Sequence, residues 1–88
     1  MVENKFAQII KERQKQDIKW LRLSPGIQGD QGFFIYLYEN ISENYKYDYW
    51  FKNLDQAKEW AKERYDIDES DWKTVIELNR MGIMDIDM

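Results

Sequence analysis

Phe33-Phe34-Ile35-Tyr36-Leu37-Tyr38 is an unbroken apolar and aromatic run, and Tyr47-Asp48-Tyr49-Trp50-Phe51 repeats the style a short distance on. In a strand, successive side chains point to opposite faces of the sheet. Phe33, Ile35 and Leu37 therefore share one face, and Phe34, Tyr36 and Tyr38 the other. In the second run Tyr47, Tyr49 and Phe51 alternate with Lys46, Asp48 and Trp50. The polar segment Asn40-Ile41-Ser42-Glu43-Asn44-Tyr45 between them has the turn-forming composition of a hairpin connection. Strands are expected over 33–39 and 46–51.

Directly after the second run comes a coded helix, Asn53-Leu54-Asp55-Gln56-Ala57-Lys58-Glu59-Trp60-Ala61-Lys62-Glu63-Arg64-Tyr65. Asn53 is a good N-cap, and Gln56 stands three residues on, where a capping box places its reciprocal partner. Asp55 in the first turn and Lys62 and Arg64 in the last complement the helix dipole. Leu54, Ala57, Ala61 and Tyr65, with Trp60 alongside, make the apolar stripe, and the two alanines permit close approach to a sheet.

Toward the N-terminus, residues 3–16 read as a helix, because Phe6, Ile9, Ile10 and Arg13 follow the i, i+3, i+4, i+7 spacing. Gln8, Lys11, Glu12 and Lys15 would face water. Residues 18–23 read as a short strand, with Leu21 and Leu23 on one face and Ile18, Trp20 and Arg22 on the other; a helix continuing through Leu23 competes. Pro25 disfavours a helical residue before it, so either element stops there. Residues 24–32 hold the only proline and three of the four glycines, which marks a loop. Gly26-x-x-Gly29-x-x-Gly32 matches neither phosphate-binding glycine motif, and an ordinary hairpin connection is expected.

Beyond the coded helix, residues 66–80 begin acidic and end in Trp72-Lys73-Thr74-Val75-Ile76-Glu77-Leu78. The β-branched residues suit a strand. Asp68 or Ser70 as a cap, and the Trp72, Val75, Ile76 spacing, suit a helix, which is the preferred reading. Residues 81–88 form a tail. The expected architecture is α+β, a three-stranded antiparallel sheet with helices packed mainly on one face, in the order α-β-β-β-α plus a short C-terminal element.

At 88 residues the chain is expected to be a single soluble domain. Four Trp and six Tyr supply much buried area per residue, and the same residue types recur at interfaces. Cysteine is absent, which removes disulfides and thiolate chemistry. Glu3, Asn4 and Lys5 interrupt any apolar leader, no run reaches membrane-spanning length, and the cytoplasm is the expected location. Residues 1–22 carry six Lys/Arg against three Asp/Glu, whereas residues 23–88 carry seven against fourteen. An acidic body argues against a general nucleic-acid binder, whose phosphate affinity rests on Lys and Arg, and suits a basic protein partner.

Several constellations carry candidate chemistry. Asp66, Asp68, Ser70 and Glu77 fall at positions one, three, five and twelve of a calcium loop. Asp71 stands where that loop needs glycine, and Lys73 where it is usually apolar, so an acidic turn leading into a helix is the plainer reading. No metal or other cofactor is expected. Histidine and cysteine are both missing, and Asp48 between Tyr47 and Tyr49 has neighbours pointing to the opposite face, so no catalytic group is assigned. Lys5, Lys11, Arg13, Lys15 and Lys19 are interleaved with Glu12 and Asp17, as on a solvated helix face. The aromatic face is the sharper feature. If Phe33, Ile35 and Leu37 meet the helices, Phe34, Tyr36, Tyr38 and Trp50 lie on the face that a one-sided sheet normally keeps polar. A terminal segment or a second copy could cover it, or it could be a partner interface. Base stacking would need flanking cations, and Lys46 and Asp48 roughly cancel.

Tyr49-Trp50-Phe51-Lys52-Asn53-Leu54-Asp55-Gln56-Ala57-Lys58, with Ala61, Tyr65 and Trp72 following, resembles a pattern in small uncharacterised bacterial α+β proteins, some of them immunity proteins of toxin systems. The resemblance spans roughly residues 33–75, with Asp66 standing where such proteins often carry Gly. It carries over no functional residue, because immunity interfaces differ from pair to pair. It implies a non-enzymatic protein-binding module, in its most concrete form an inhibitor that occludes a basic cytotoxic enzyme. Glu39, Glu43, Asp48, Asp66, Asp68, Glu69 and Asp71 would steer such a partner, and Tyr36, Tyr38 and Trp50 would anchor it. The alternatives are a homodimeric accessory protein and a calcium-responsive module. Neither nucleic acid nor membrane is an expected partner.

Overall fold

The two alternating runs pair as antiparallel neighbours, Phe33–Tyr38 (β3) with Tyr47–Phe51 (β4), in the register Phe34↔Trp50, Ile35↔Tyr49, Tyr36↔Asp48. In the computed structural model, which describes residues 4–26 and 32–82, they belong to a four-stranded sheet rather than a three-stranded one. Lys5–Gln8 (β1) and Trp20–Pro25 (β2) complete it in the order β1-β2-β3-β4, antiparallel throughout. Leu54–Tyr65 (α1) and Val75–Arg80 (α2) follow, with short 3-10 turns at Lys11–Arg13 and Glu69–Asp71. No helix among the described residues is long and apolar enough to cross a membrane.

The helix expected over 3–16 is instead β1 and a 3-10 turn. A strand here buries both of its faces, Ala7 against the α1 side and Phe6 against the α2 side. A helix would have buried one stripe and left β2 as an open edge. Ile10, required by the helical spacing, is 55% exposed. The chain reverses at Lys15–Ile18, where Gln16 and Asp17 both have positive φ (54° and 65°) and the Ile18 N–H donates to the Lys15 carbonyl at 2.9 Å. Two left-handed residues are the mark of a type I′ hairpin turn, normally signalled by Asn-Gly. Here neither residue is glycine, so the signal is silent.

The second correction concerns the helices, which lie on both faces. On the first face Leu21, Leu23, Ile35 and Leu37 meet Ala57, Ala61 and Tyr65 of α1, together with Ile67 and Trp72. On the second face Leu78 and Val75 of α2 close over Phe6, Trp20 and Tyr38. The apolar rows of this sheet are two-sided, and one helix can cover only one side.

Local codes account for both helices. The Asn53 side chain accepts from the Gln56 N–H at 2.9 Å. At α2 the cap is Thr74, not Asp68 or Ser70: Thr74 Oγ1 accepts from the Glu77 N–H, and Glu77 Oε1 accepts from the Thr74 N–H, both at 3.1 Å. These bonds hold the Glu77 carboxyl below its usual pKa. The preceding Lys73 does carry the strand character read in this region, since it bridges Phe6 on β1.

Just past α1, Asp66 is left-handed (φ 59°, ψ 38°), and its turn drops Ile67 into the core. Glycine takes this conformation without the Cβ clash that other residues meet. Asp66→Gly is expected to raise stability by about 0.5–1 kcal/mol, because the Lys62 pair it gives up is exposed and worth little. A lowered midpoint in thermal unfolding would show instead that the carboxylate outweighs the backbone strain.

Candidate protein-binding surface

The second face of the sheet is divided. Its β1 side is closed by α2, and its β4 side is open. Three cross-strand rows define it: Trp20–Tyr38, Arg22–Tyr36–Asp48 and Ser24–Phe34–Trp50. Residues directly opposite in an antiparallel pair project from the same face, close enough to touch. Tyr38 in the first row is only 5% exposed beneath α2. Phe34 and Tyr36 are half-buried, and Trp50 is 53% exposed.

The open half is a connected aromatic strip. Phe34 and Tyr36 stack with centroids 5.8 Å apart and planes 22° from parallel. Tyr45, from the hairpin connection, leans on Tyr36 at 4.6 Å and meets Tyr38 edge-on at 6.4 Å. The Arg22 guanidinium lies over the Tyr36 ring at 4.4 Å and within 5.7 Å of Tyr38, and its Nε is buried without a hydrogen-bond partner among the described residues. Burial pushes the Tyr38 phenol above its usual pKa, and the Arg22 charge partly opposes that rise. The strip therefore rests on the sheet, with the Phe34, Tyr36 and Tyr45 rings held by mutual contact. It is also anchored from below. A Cβ built on Gly32 would fall 2.5 Å from Trp50 Nε1, so the indole lies directly against that backbone.

Of the anchors expected from sequence, the structure brings Tyr36 and Trp50 together on the open strip and withdraws Tyr38 into the α2 core. Phe34 and Tyr45 join the strip. Phe34 follows from strand alternation, whereas Tyr45 sits in a turn, where alternation gives no orientation.

The acidic residues separate into two places. Glu39, Glu43 and Asp48 lie on the β3–β4 hairpin, with Asp48 directly opposite Tyr36. Glu39 is held by Lys46 at 2.9 Å, a bond that raises the lysine's pKa. Asp66, Asp68, Glu69 and Asp71 lie past the far end of α1, next to Lys73, which pairs with β1 at the opposite edge of the sheet. There Lys58 binds Glu69 at 2.6 Å, and Lys62 binds Asp68 and reaches Asp66 at 3.5 Å. The hydrogen bond to Asp68 is the main cause of the raised Lys62 pKa. Asp71 Oδ2 accepts from the Asp68 N–H in closing the 3-10 turn. The carboxylates at the calcium-loop positions are thus directed elsewhere, Glu77 into its own cap and Asp66 and Asp68 toward Lys62. Among the described residues, no three acidic side chains converge. The Gly26-x-x-Gly29-x-x-Gly32 loop falls mostly outside the described residues.

No protein-family model, no curated protein and no solved structure matches this chain.

Proposed function

We propose that the chain is a non-enzymatic protein-binding module that docks a basic partner on the open half of the second sheet face. The observation that supports this reading most directly is the contrast within that face. One half is sealed by α2, while the other leaves Trp50 exposed and Phe34 and Tyr36 half-exposed around Asp48. Exposed aromatic patches on a rigid scaffold are typical of interaction sites, and Trp and Tyr are over-represented among residues that dominate binding energy. In this reading Trp50 and Tyr36 anchor, while Asp48 and Glu43 steer. Asp66, Asp68 and Glu69, each within reach of an α1 lysine, contribute little to the approach of a cation. The most concrete form is an immunity-type inhibitor that occludes a basic cytotoxic enzyme, in keeping with the sequence resemblance.

The test is affinity capture with the tagged chain, followed by binding kinetics on the captured partner. Trp50→Ala is expected to cost about 2 kcal/mol, a loss of roughly thirty-fold in affinity. Asp48→Lys is expected to slow association and to flatten its dependence on salt. A partner that binds both variants like the parent protein would place the interface elsewhere.

A further inference from the structure

The two edges of the sheet are treated differently. On β1, the Phe6 N–H donates to the Lys73 carbonyl and the Phe6 carbonyl accepts from the Lys73 N–H, both at 2.8 Å. That bridge occupies the outer side of the strand at its centre. On β4 no strand or bridge lies on the outer side among the described residues. Tyr47, Asp48, Tyr49 and Trp50 are exposed, and the register with β3 is continuous from Tyr47 to Phe51. Of the seven large exposed apolar side chains among the described residues, four fall between Tyr45 and Trp50. Proteins usually blunt an edge strand with proline, a bulge or a covering segment. This chain blunts one edge and leaves the other flat and aromatic.

We infer that β4 is the seam of a homodimer in which two copies join their sheets, edge to edge, into one eight-stranded antiparallel sheet. A two-fold axis makes such a contact isologous, so the strand must be complementary to its own reverse. The charges on β4 and its end select the register. Centring the axis on Asp48 sets that carboxylate against Asp48 of the second copy. Centring it on Tyr49 opposes Lys46 to Lys52 of the second copy. Centring it on Trp50 opposes Asp48 to Lys52 of the second copy, twice by symmetry, and sets Tyr49 against Phe51 of the second copy on the other face. Opposite charges and aromatic pairs directly across a strand pair are the favourable combinations, and like charges the unfavourable ones. Of the three registers that pair at least three residues of β4 with β4 of the second copy, only the Trp50-centred one satisfies all of them.

The pairing uses backbone groups along the edge, and the side chains of Asp48, Trp50 and Lys52 on one face and of Tyr49 and Phe51 on the other meet those of the second copy across it. The rows Phe34–Trp50 of the two copies become one aromatic row across the axis. The inference rests on the open edge and its charge pattern, and although Asp48 and Trp50 also serve the partner-binding reading above, self-association of the isolated chain tests it without that partner.

The experiment is sedimentation equilibrium on the full chain, from low micromolar to near-millimolar concentration, with the charge variants Asp48→Lys, Lys52→Asp and the double exchange. Both residues are exposed, and circular dichroism with thermal unfolding checks that each variant is folded. The expected result is a species of twice the chain mass for the parent protein, return to the monomer for each single reversal, and recovery of the dimer for the double exchange. A parent protein that stays monomeric throughout overturns the inference. So does a dimer that survives both single reversals, and so does failure of the double exchange to restore association.

Discussion

Replacing Trp72 with alanine is expected to lower stability by about 3–5 kcal/mol, the usual cost of truncating a buried tryptophan. For a domain of this size that corresponds to roughly 15–30 °C in melting temperature. Trp72 is 6% exposed and packs in the cluster formed by the first sheet face and α1. It also precedes Lys73, whose backbone seals the β1 edge through Phe6. The loss therefore has two parts. A large cavity opens between α1 and the sheet, and the segment that caps β1 loses its anchor. Thermal unfolding by circular dichroism measures the first part. Hydrogen exchange measures the second, as faster exchange of the Phe6 amide than of amides in β3. Ile76→Ala is the control, because Ile76 is 62% exposed and its truncation is expected to fall within about 0.5 kcal/mol of neutral. A drop for Trp72→Ala no larger than that of the control would mean that the 3-10 turn and its tryptophan do not hold the sheet.

The expected Trp72 effect also shows where sequence reading reaches its limit in this chain. The hairpin and α1 were readable because their signals are local: unbroken alternation in 33–38 and 47–51, and Asn53 supplying the cap that the structure uses. β1 was not. Phe6, Ile9 and Ile10 satisfy a helical spacing, and what overrides it is tertiary, a neighbouring strand that needs a partner on its outer side. The turn that makes the pairing possible carries no glycine at either left-handed position. The site divides in the same way. Tyr36, Asp48 and Trp50 share a face by alternation alone, and they do lie together. Tyr38 shares that alternation but is covered by Leu78 and Val75, forty and thirty-seven positions later in the chain, which no local pattern announces. Net charge was a still poorer guide to geometry. The acidic residues at opposite ends of α1's path across the sheet are one group in composition and two in space, and α1's own lysines engage the larger of them.

Gly32→Ala is expected to be nearly as costly as the loss of Trp72, although it adds only a methyl group. Gly32 has φ of +127°, in a region that L-residues rarely adopt, and a Cβ there would fall 2.5 Å from Trp50 Nε1 and 2.7 Å from the Phe51 carbonyl oxygen. The strained backbone contributes about 1–3 kcal/mol and the overlap a similar amount, since the carbonyl belongs to the β3–β4 ladder and cannot swing away freely. A total of about 2–6 kcal/mol is expected. Gly82→Ala separates the two contributions. Gly82 also has positive φ (+73°) but, among the described residues, nothing within 4 Å of the added methyl, so it is expected to cost only the conformational part, about 1 kcal/mol. The two variants also differ at the proposed binding strip. Because Gly32 lies against the Trp50 indole, Gly32→Ala has to displace that ring, which changes its fluorescence and weakens partner capture even below the melting transition. Gly82→Ala leaves both unchanged. Equal costs for the two substitutions would mean that the indole does not rest on Gly32. The strip would then lack the support that makes it a preformed surface.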